Sequence, residues 1–256
     1  MLILLPPSEG KSAPASGPRL SPPGLSFPGL ASTRRAVLGA VVTLCRGDVD
    51  SAAAVLGLGP TQRGEVEVNA RLRSAPCAPA IEVYTGVLYE ALDAATLPAT
   101  GRRRLQDSAA ISSALWGLIR PNDLIPAYRL SGDVRLPTIG SLPAAWRGPV
   151  SSVLVETAGL IIDMRSGTYV SHGPVPKEAL DRAVTVRVLN ERNGRRTVVS
   201  HNNKATKGHV VRSLVTTRRR PTDVAGLVDA LEGEGYEVEL TDGRGAEPSM
   251  LDVILR

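Results

Sequence analysis

Aromatic residues are scarce in this chain: two Trp, five Tyr and one Phe make up 3% of its 256 residues. A core must therefore be assembled from Leu, Val, Ile and Ala, which a hydrophobic fraction of 43% supplies. The scarcity also argues against recognition of single-stranded nucleic acid, which relies on aromatic stacking platforms. Cysteine is limited to Cys45 and Cys77, with no CxxC spacing, and His201 and His209 fall in no HExxH pattern. No metal and no other cofactor is expected, and the two thiols read as inert cysteines of a cytoplasmic protein. No run reaches the roughly 18 apolar residues that span a bilayer. The opening MLILLPPSEGK has no basic segment ahead of its short apolar run, so no signal peptide is expected there.

What is present is an uneven charge distribution. The net charge is +5, yet residues 192–222 hold nine Lys or Arg and no acid. Residues 223–242 then carry seven acids and no base. Segregation of this kind predicts a basic surface that faces phosphates or polyanions.

The length suits one large domain or two small ones. Residues 1–5 read as a buried strand that breaks into Pro6-Pro7-Ser8-Glu9-Gly10-Lys11. A strand running into a Gly/Ser/Lys turn brings an ammonium and backbone N–H groups to one ligand. It is not a P-loop, because the GxxxxGK[ST] spacing is missing and a Pro/Gly/Ser-rich coil follows at 12–29. Apolar spacing predicts helices over 31–57 and 81–94. The stretch LPATGRRRL joins one helix to the next like the turn of a helix-hairpin-helix module, with Gly101 at the turn. Arg102, Arg103 and Arg104 would add salt-sensitive affinity for DNA phosphates. The alternative is a plain interhelical turn with a solvated basic face.

The organising stretch is ISSALWGLIRPNDLIPAYRL, residues 111–130. Its apolar first half, 111–118, predicts one buried element. Pro121 and Asn122-Asp123 stop that element, and Pro126 keeps the continuation extended. Arg120, Asp123, Tyr128 and Arg129 are thereby presented on a stiff loop. Residues 151–156 and 159–164 read as strands, the second ending in Asp163 and Arg165, and 184–189 as another. Asn193-Gly194 predicts a hairpin turn, with 196–200 pairing back. Residues 202–215 predict a helix capped by Asn202 or Asn203, with Lys204, Lys207 and Arg212 on it at near-helical spacing. The positive end of that helix and two ammonium groups would suit an anion. A helix at 224–231 and strands at 236–240 and 250–255 close the chain.

PPSEGK, YTGVLYEALDA, SSALWGLIRPNDLIPAYRL, LIIDMRSGTY and VSHNNKATKGHVVR occur in this order. Together they resemble the peroxide-stress YaaA family, also called UPF0246 or DUF328, over nearly the whole chain. One departure is Thr85-Gly86-Val87-Leu88-Tyr89, standing where relatives commonly have Gly-Asp-Val-Tyr. The resemblance implies a single α+β domain over 1–256, with a mixed sheet flanked by helices, a helix-hairpin-helix-like element and a positively charged cleft. It implies a cytoplasmic protein that limits free iron and oxidative DNA damage under hydrogen peroxide. Carried over position by position, the cleft residues are Ser8, Glu9, Lys11, Arg120, Asp123, Tyr128, Arg129, Asp163, Arg165, Lys204, Lys207 and Arg212. Among these, Glu9, Lys11, Asp163 and Lys204 are the candidates for catalysis.

Two functions follow from these residues. One is binding of duplex DNA, without sequence preference, through Gly101, Arg102, Arg103, Arg104 and the basic segment. The other is an enzyme acting on a nucleotide-like or phosphorylated small molecule, in which carboxylates beside cations supply acid–base groups. No membrane partner is expected.

Overall fold

A strand buried along its whole length, Leu2–Leu5 (β1), lies near the middle of an eight-stranded sheet. The computed structural model of the chain describes residues 1–197 and 200–256, with the backbone alone at 200–202. The other strands are β2 (Ala109–Ser113), β3 (Gly117–Ile119), β4 (Ile161–Asp163), β5 (Ala183–Arg192), β6 (Arg195–Thr197), β7 (Glu237–Thr241) and β8 (Ser249–Leu255). Their spatial order is β7-β8-β5-β4-β1-β2-β3, with β6 paired to β5. From β8 through β2 neighbouring strands run parallel, while β3, β6 and β7 pair antiparallel. The buried runs of β1, β2 and β4 fit parallel strands covered on both faces, and the exposed residues of β7 fit an edge. Strands from both ends of the chain share this sheet, giving one α+β domain.

Helices flank it: α1 (Ala31–Cys45), α2 (Val87–Leu92), α3 (Ala99–Ser108), α4 (Leu142–Glu156), α5 (Ser200–Thr216) and α6 (Val224–Gly233). The last of these and the closing strands match the sequence expectation. So does the Asn193-Gly194 turn, whose two positive φ values, 52° and 72°, are those of a tight hairpin.

Several elements differ from the reading of the sequence. The helix expected over 31–57 is two: the first ends at Cys45, and Asp48 caps a second, Val49–Leu56, by accepting the Ser51 N–H at 2.8 Å. The helix expected over 81–94 breaks at Tyr84-Thr85-Gly86 into Ala80–Val83 and α2. Residues 151–156 are the end of α4, where Trp146, Val150, Val153 and Leu154 bury one face; a six-residue apolar run cannot distinguish strand from helix. Helix α5 spans Ser200–Thr216, so the backbone of Asn202 and Asn203 lies inside it and neither is its N-cap. The pairing expected over 196–200 is seen through Thr197, and 198–199 lie outside the described residues.

The stretch 111–118 is not one element but most of a β2–β3 hairpin. Ser113 Oγ accepts the N–H groups of Leu115 and Trp116 at 3.2 and 3.0 Å, and Gly117 takes φ 75°. A side chain at Gly117 would come within 2.7 Å of the Trp146 ring. The buried Arg34 donates to the carbonyls of Trp116 and Leu118, satisfying backbone groups that the hairpin leaves open.

The charge segregation is partly settled within the molecule. Arg196 of the basic segment pairs with Glu191 and with Glu239 of the acidic one, and Arg256 pairs with Glu237.

Candidate functional site

The carboxyl ends of β1 and β4 open into a cleft of about 910 Å³. These strands are neighbours, yet the chain leaves β1 for β2 on one side and leaves β4 for β5 on the other. A reversal of this kind is where parallel α/β sheets form crevices.

One wall is the loop after β1. Pro6 and Pro7 end the strand, and Ser8 to Lys11 then lie against Tyr84-Thr85-Gly86. Ser12 donates to the Val83 carbonyl at 2.8 Å, and Thr85 donates to that of Gly10 at 3.2 Å. Gly86 has φ 98°, and a Cβ there would sit 2.9 Å from Ser8 Oγ, so both backbone freedom and space require glycine. Tyr89 donates its hydroxyl to the Pro6 carbonyl at 2.8 Å. The break in the expected helix thus creates the surface on which the first loop rests.

Lys11 is half-buried beneath this loop, donating to the carbonyls of Ser8 (2.9 Å) and Glu9 (3.3 Å). Its ammonium lies 4.3 Å from the Tyr128 ring centroid, and burial pulls its pKa down to about 8. Tyr128 is itself buried, with its hydroxyl 2.8 Å from that of Tyr84 and 2.7 Å from Ser113 Oγ. Glu9 pairs with Arg129 at 2.9 Å and meets Ser131 Oγ at 3.4 Å. The neighbouring Gly132 carbonyl accepts a 2.7 Å bond from His172 Nε2, which therefore carries the proton. Burial lowers the His172 pKa, and Arg165 adds to that effect.

The second wall follows β4. Asp163 binds Arg165 through both oxygens, at 2.9 Å to Nε and 2.6 Å to Nη2, with side-chain exposures of 2% and 0%. Asp163 Oδ1 also accepts the Arg165 N–H at 3.0 Å, which fixes the turn leaving the strand.

The third wall is α5. Lys207 is buried and donates to the Met164 carbonyl at 3.0 Å; burial lowers its pKa and Asp163 counters the shift. Lys204, one turn earlier, is exposed in the cleft. Both are seated by Gly208, where a Cβ would come within 2.3 Å of the Leu88 carbonyl of α2.

Ser8, Glu9, Arg165, Lys204 and Lys207 therefore line one cleft; Lys11, Arg129 and Asp163 bind its walls from behind, and Tyr128 lies beneath Lys11. Arg120 and Asp123 do not join them. The antiparallel return of β3 carries both to the opposite end of the sheet, where Arg120 donates to the Ala109 carbonyl. Asp123 there accepts from Ser26 and from the Arg120 N–H. Arg212 is spent on the carbonyls of Leu92 and Asp93. Gly101 is not in a turn: Pro98 precedes α3, which places Gly101 in the first turn of that helix, buried against Thr216. Arg102 and Arg104 donate to the carbonyls of Ala95 and Thr217.

The sequence reading missed Thr85, Asp133, Tyr169 and Arg187, which also line the cleft. The alternation along β5 was visible, but nothing in it marked Arg187 as facing a cavity. Among the described residues no group of three or more His, Cys, Asp or Glu is placed to hold a metal ion. No described helix is long and apolar enough to cross a membrane.

The profile of the family described as peroxide stress protein YaaA matches residues 1–241. A UPF0246 protein of Streptomyces coelicolor is 49% identical, the match covering 100% of this chain and 98% of the relative. A UPF0246 protein of Corynebacterium efficiens is 43% identical over 95% of this chain and 97% of its own. A UPF0246 protein of Lactobacillus delbrueckii subsp. bulgaricus is 33% identical over 60% and 64%.

Proposed function

The chain belongs to the peroxide stress protein YaaA family, and from that premise we propose that it serves the response to hydrogen peroxide by binding a phosphorylated or nucleotide-like small molecule in its cleft. The observation that carries this reading is the convergence of Ser8, Lys204 and Lys207 on one cavity of about 910 Å³. That volume lies within the ~300–1,000 Å³ usual for small-molecule sites. Apolar side chains of Val87, Leu88, Met164 and Met250 offer a surface for a base or other flat group. Lys204 and Lys207 supply positive charge for the anionic part. The same cleft would house any acid–base chemistry, with Glu9 at its rim as the accessible carboxylate and Lys11 and Asp163 behind it. Action in the cytoplasm, with less free iron and less oxidative DNA damage as the outcome, belongs to this proposal.

A second reading, duplex DNA binding, is favoured by a separate juxtaposition. Gly101 packs on Thr216 and Arg104 donates to the Thr217 carbonyl, so α3, with its exposed Arg102 and Arg103, meets the end of α5, which the exposed Arg218, Arg219 and Arg220 follow. On this reading the two arginine runs, more than a hundred positions apart, would serve together as the phosphate-binding face.

The two readings separate by calorimetric titration and gel shift on the same preparation. Small-molecule binding predicts saturable heats with nucleoside phosphates that vanish in K204A. Duplex binding predicts an affinity that falls steeply as salt rises and survives K204A but not charge reversal at Arg102 and Arg103. Silence toward every nucleotide and phosphate would refute the first reading.

A further inference from the structure

Beyond the strand ends, the cleft runs on across the face of the sheet toward β5 and β8. Thr185 and Arg187 share one face of β5, and their cross-strand partners are Met250 and Asp252 of β8. Arg187 enters the cleft wall together with Thr185 and Met250. Its guanidinium meets Asp252 side-on, Nε to Oδ1 at 2.6 Å and Nη2 to Oδ2 at 2.7 Å. Asp252 is buried, whereas the Arg187 side chain is 45% exposed.

A half-exposed pair of this kind contributes little to stability. What it does is orient. Holding Nε and Nη2 on the carboxylate fixes the plane of the fork and leaves the Nη1 edge, the far side of the guanidinium, to meet a ligand. Helix α5 packs on β5 and brings Lys204 and Lys207 to the same cavity. The acids nearest these groups are already matched: Asp252 to Arg187 and Asp163 to Arg165. Glu9 is matched to Arg129, and the remaining lining acid, Asp133, follows Ser131 on the wall that carries Glu9. Among the described residues the two lysines therefore have no carboxylate paired to them alone, since Asp163, which acts on Lys207, is held by Arg165.

We propose that Arg187, aimed by Asp252, completes with Lys204 and Lys207 a subsite for a phosphoryl group at the β5 end of the cleft. The proposal rests on the small-molecule reading above and assigns the anionic part of the ligand to one end. Three donors of two geometries, a fixed fork and two ammonium groups, can contact several oxygens of one tetrahedral anion. The opposite end, with Glu9, Ser131 and Asp133, is then left to hydroxyl or amino groups. In this arrangement Arg187 is a binding residue and Asp252 a positioning residue.

The test is calorimetric titration of the full chain with inorganic pyrophosphate, in the wild type and in R187A, R187K, D252N and K204A. R187A is expected to weaken binding about tenfold or more. R187K keeps the charge without the fork and should recover only part of that loss. D252N should weaken binding several-fold with the melting temperature nearly unchanged, a split that a purely structural role would not give. Binding lost in K204A but unchanged in R187A and R187K would overturn the subsite while leaving the small-molecule reading in place. Absence of pyrophosphate binding by the wild type would overturn the subsite; the small-molecule reading falls with it only if nucleoside phosphates are silent as well. Should R187A fold poorly, the R187K and D252N titrations decide the matter.

Discussion

Asp163→Asn is the substitution whose outcome the structure fixes most tightly. It keeps the shape of the side chain and removes the charge that faces Arg165, a guanidinium with 0% side-chain exposure. Taking one partner from a buried ion pair leaves the other uncompensated, at a cost of about 3–5 kcal/mol. In a chain of this size each kcal/mol moves the melting temperature by ~2–4 °C, so a fall of roughly 6–20 °C is expected. Replacing both residues, as in D163L/R165M, removes the stranded charge. It still deletes the 3.0 Å bond from the Arg165 N–H to Asp163, leaving a buried donor unpaired for about 1–3 kcal/mol. The double variant should therefore be more stable than the single one. Equilibrium urea unfolding, with the midpoint and slope measured for each variant, makes the comparison. A loss below about 1 kcal/mol in the single variant, or a double variant no better than the single one, would refute the view that this pair anchors the second wall of the cleft.

Two further outcomes follow from the geometry. Gly208→Ala places a methyl 2.3 Å from the Leu88 carbonyl and 2.8 Å from Ala91 Cβ, so α5 must move off α2. Overpacking of this kind costs about 1–3 kcal/mol, and Lys204 and Lys207 move with the helix; thermal melts should fall and pyrophosphate affinity with them, and an unchanged melt would contradict the close approach. The second concerns His172, whose folded-state pKa is held below 6.5 by burial, with Arg165 adding to it. As pH falls below the unfolded value of about 6.5 the unfolded chain takes up the proton first, so stability is lost with acidification until the folded pKa is reached. H172Q, whose amide can still donate to the Gly132 carbonyl, should flatten the dependence of the urea midpoint between pH 7.5 and 5.5. An unchanged slope would assign that dependence to other groups.

Periodicity and turn chemistry made much of the framework legible from residues alone. The buried strand at the start, the Asn193-Gly194 hairpin, the lysine-bearing helix and the closing strands all follow from local patterns that the tertiary structure keeps. The motifs also marked Ser8, Glu9, Lys204 and Lys207 as polar groups at the ends of apolar elements, and those groups do meet in one cleft. Composition, too, set the aliphatic nature of the core.

What local pattern could not decide was direction and contact. Arg120 and Asp123 looked like companions of Lys11 because they follow an apolar run, but a hairpin at Gly117 reverses that run and delivers them to the far end of the sheet. Residues 81–94 read as one helix, yet the need for Gly86 to lie against Ser8 breaks it in two. Arg187 carried no signal in sequence, because a residue on a strand faces a cavity only when a neighbouring strand and a crossing helix leave one there. Sequence determined which groups are charged and which segments are apolar. Only the folded sheet, by running β1 and β4 parallel and β3 against them, decided which of those charges would share a cavity.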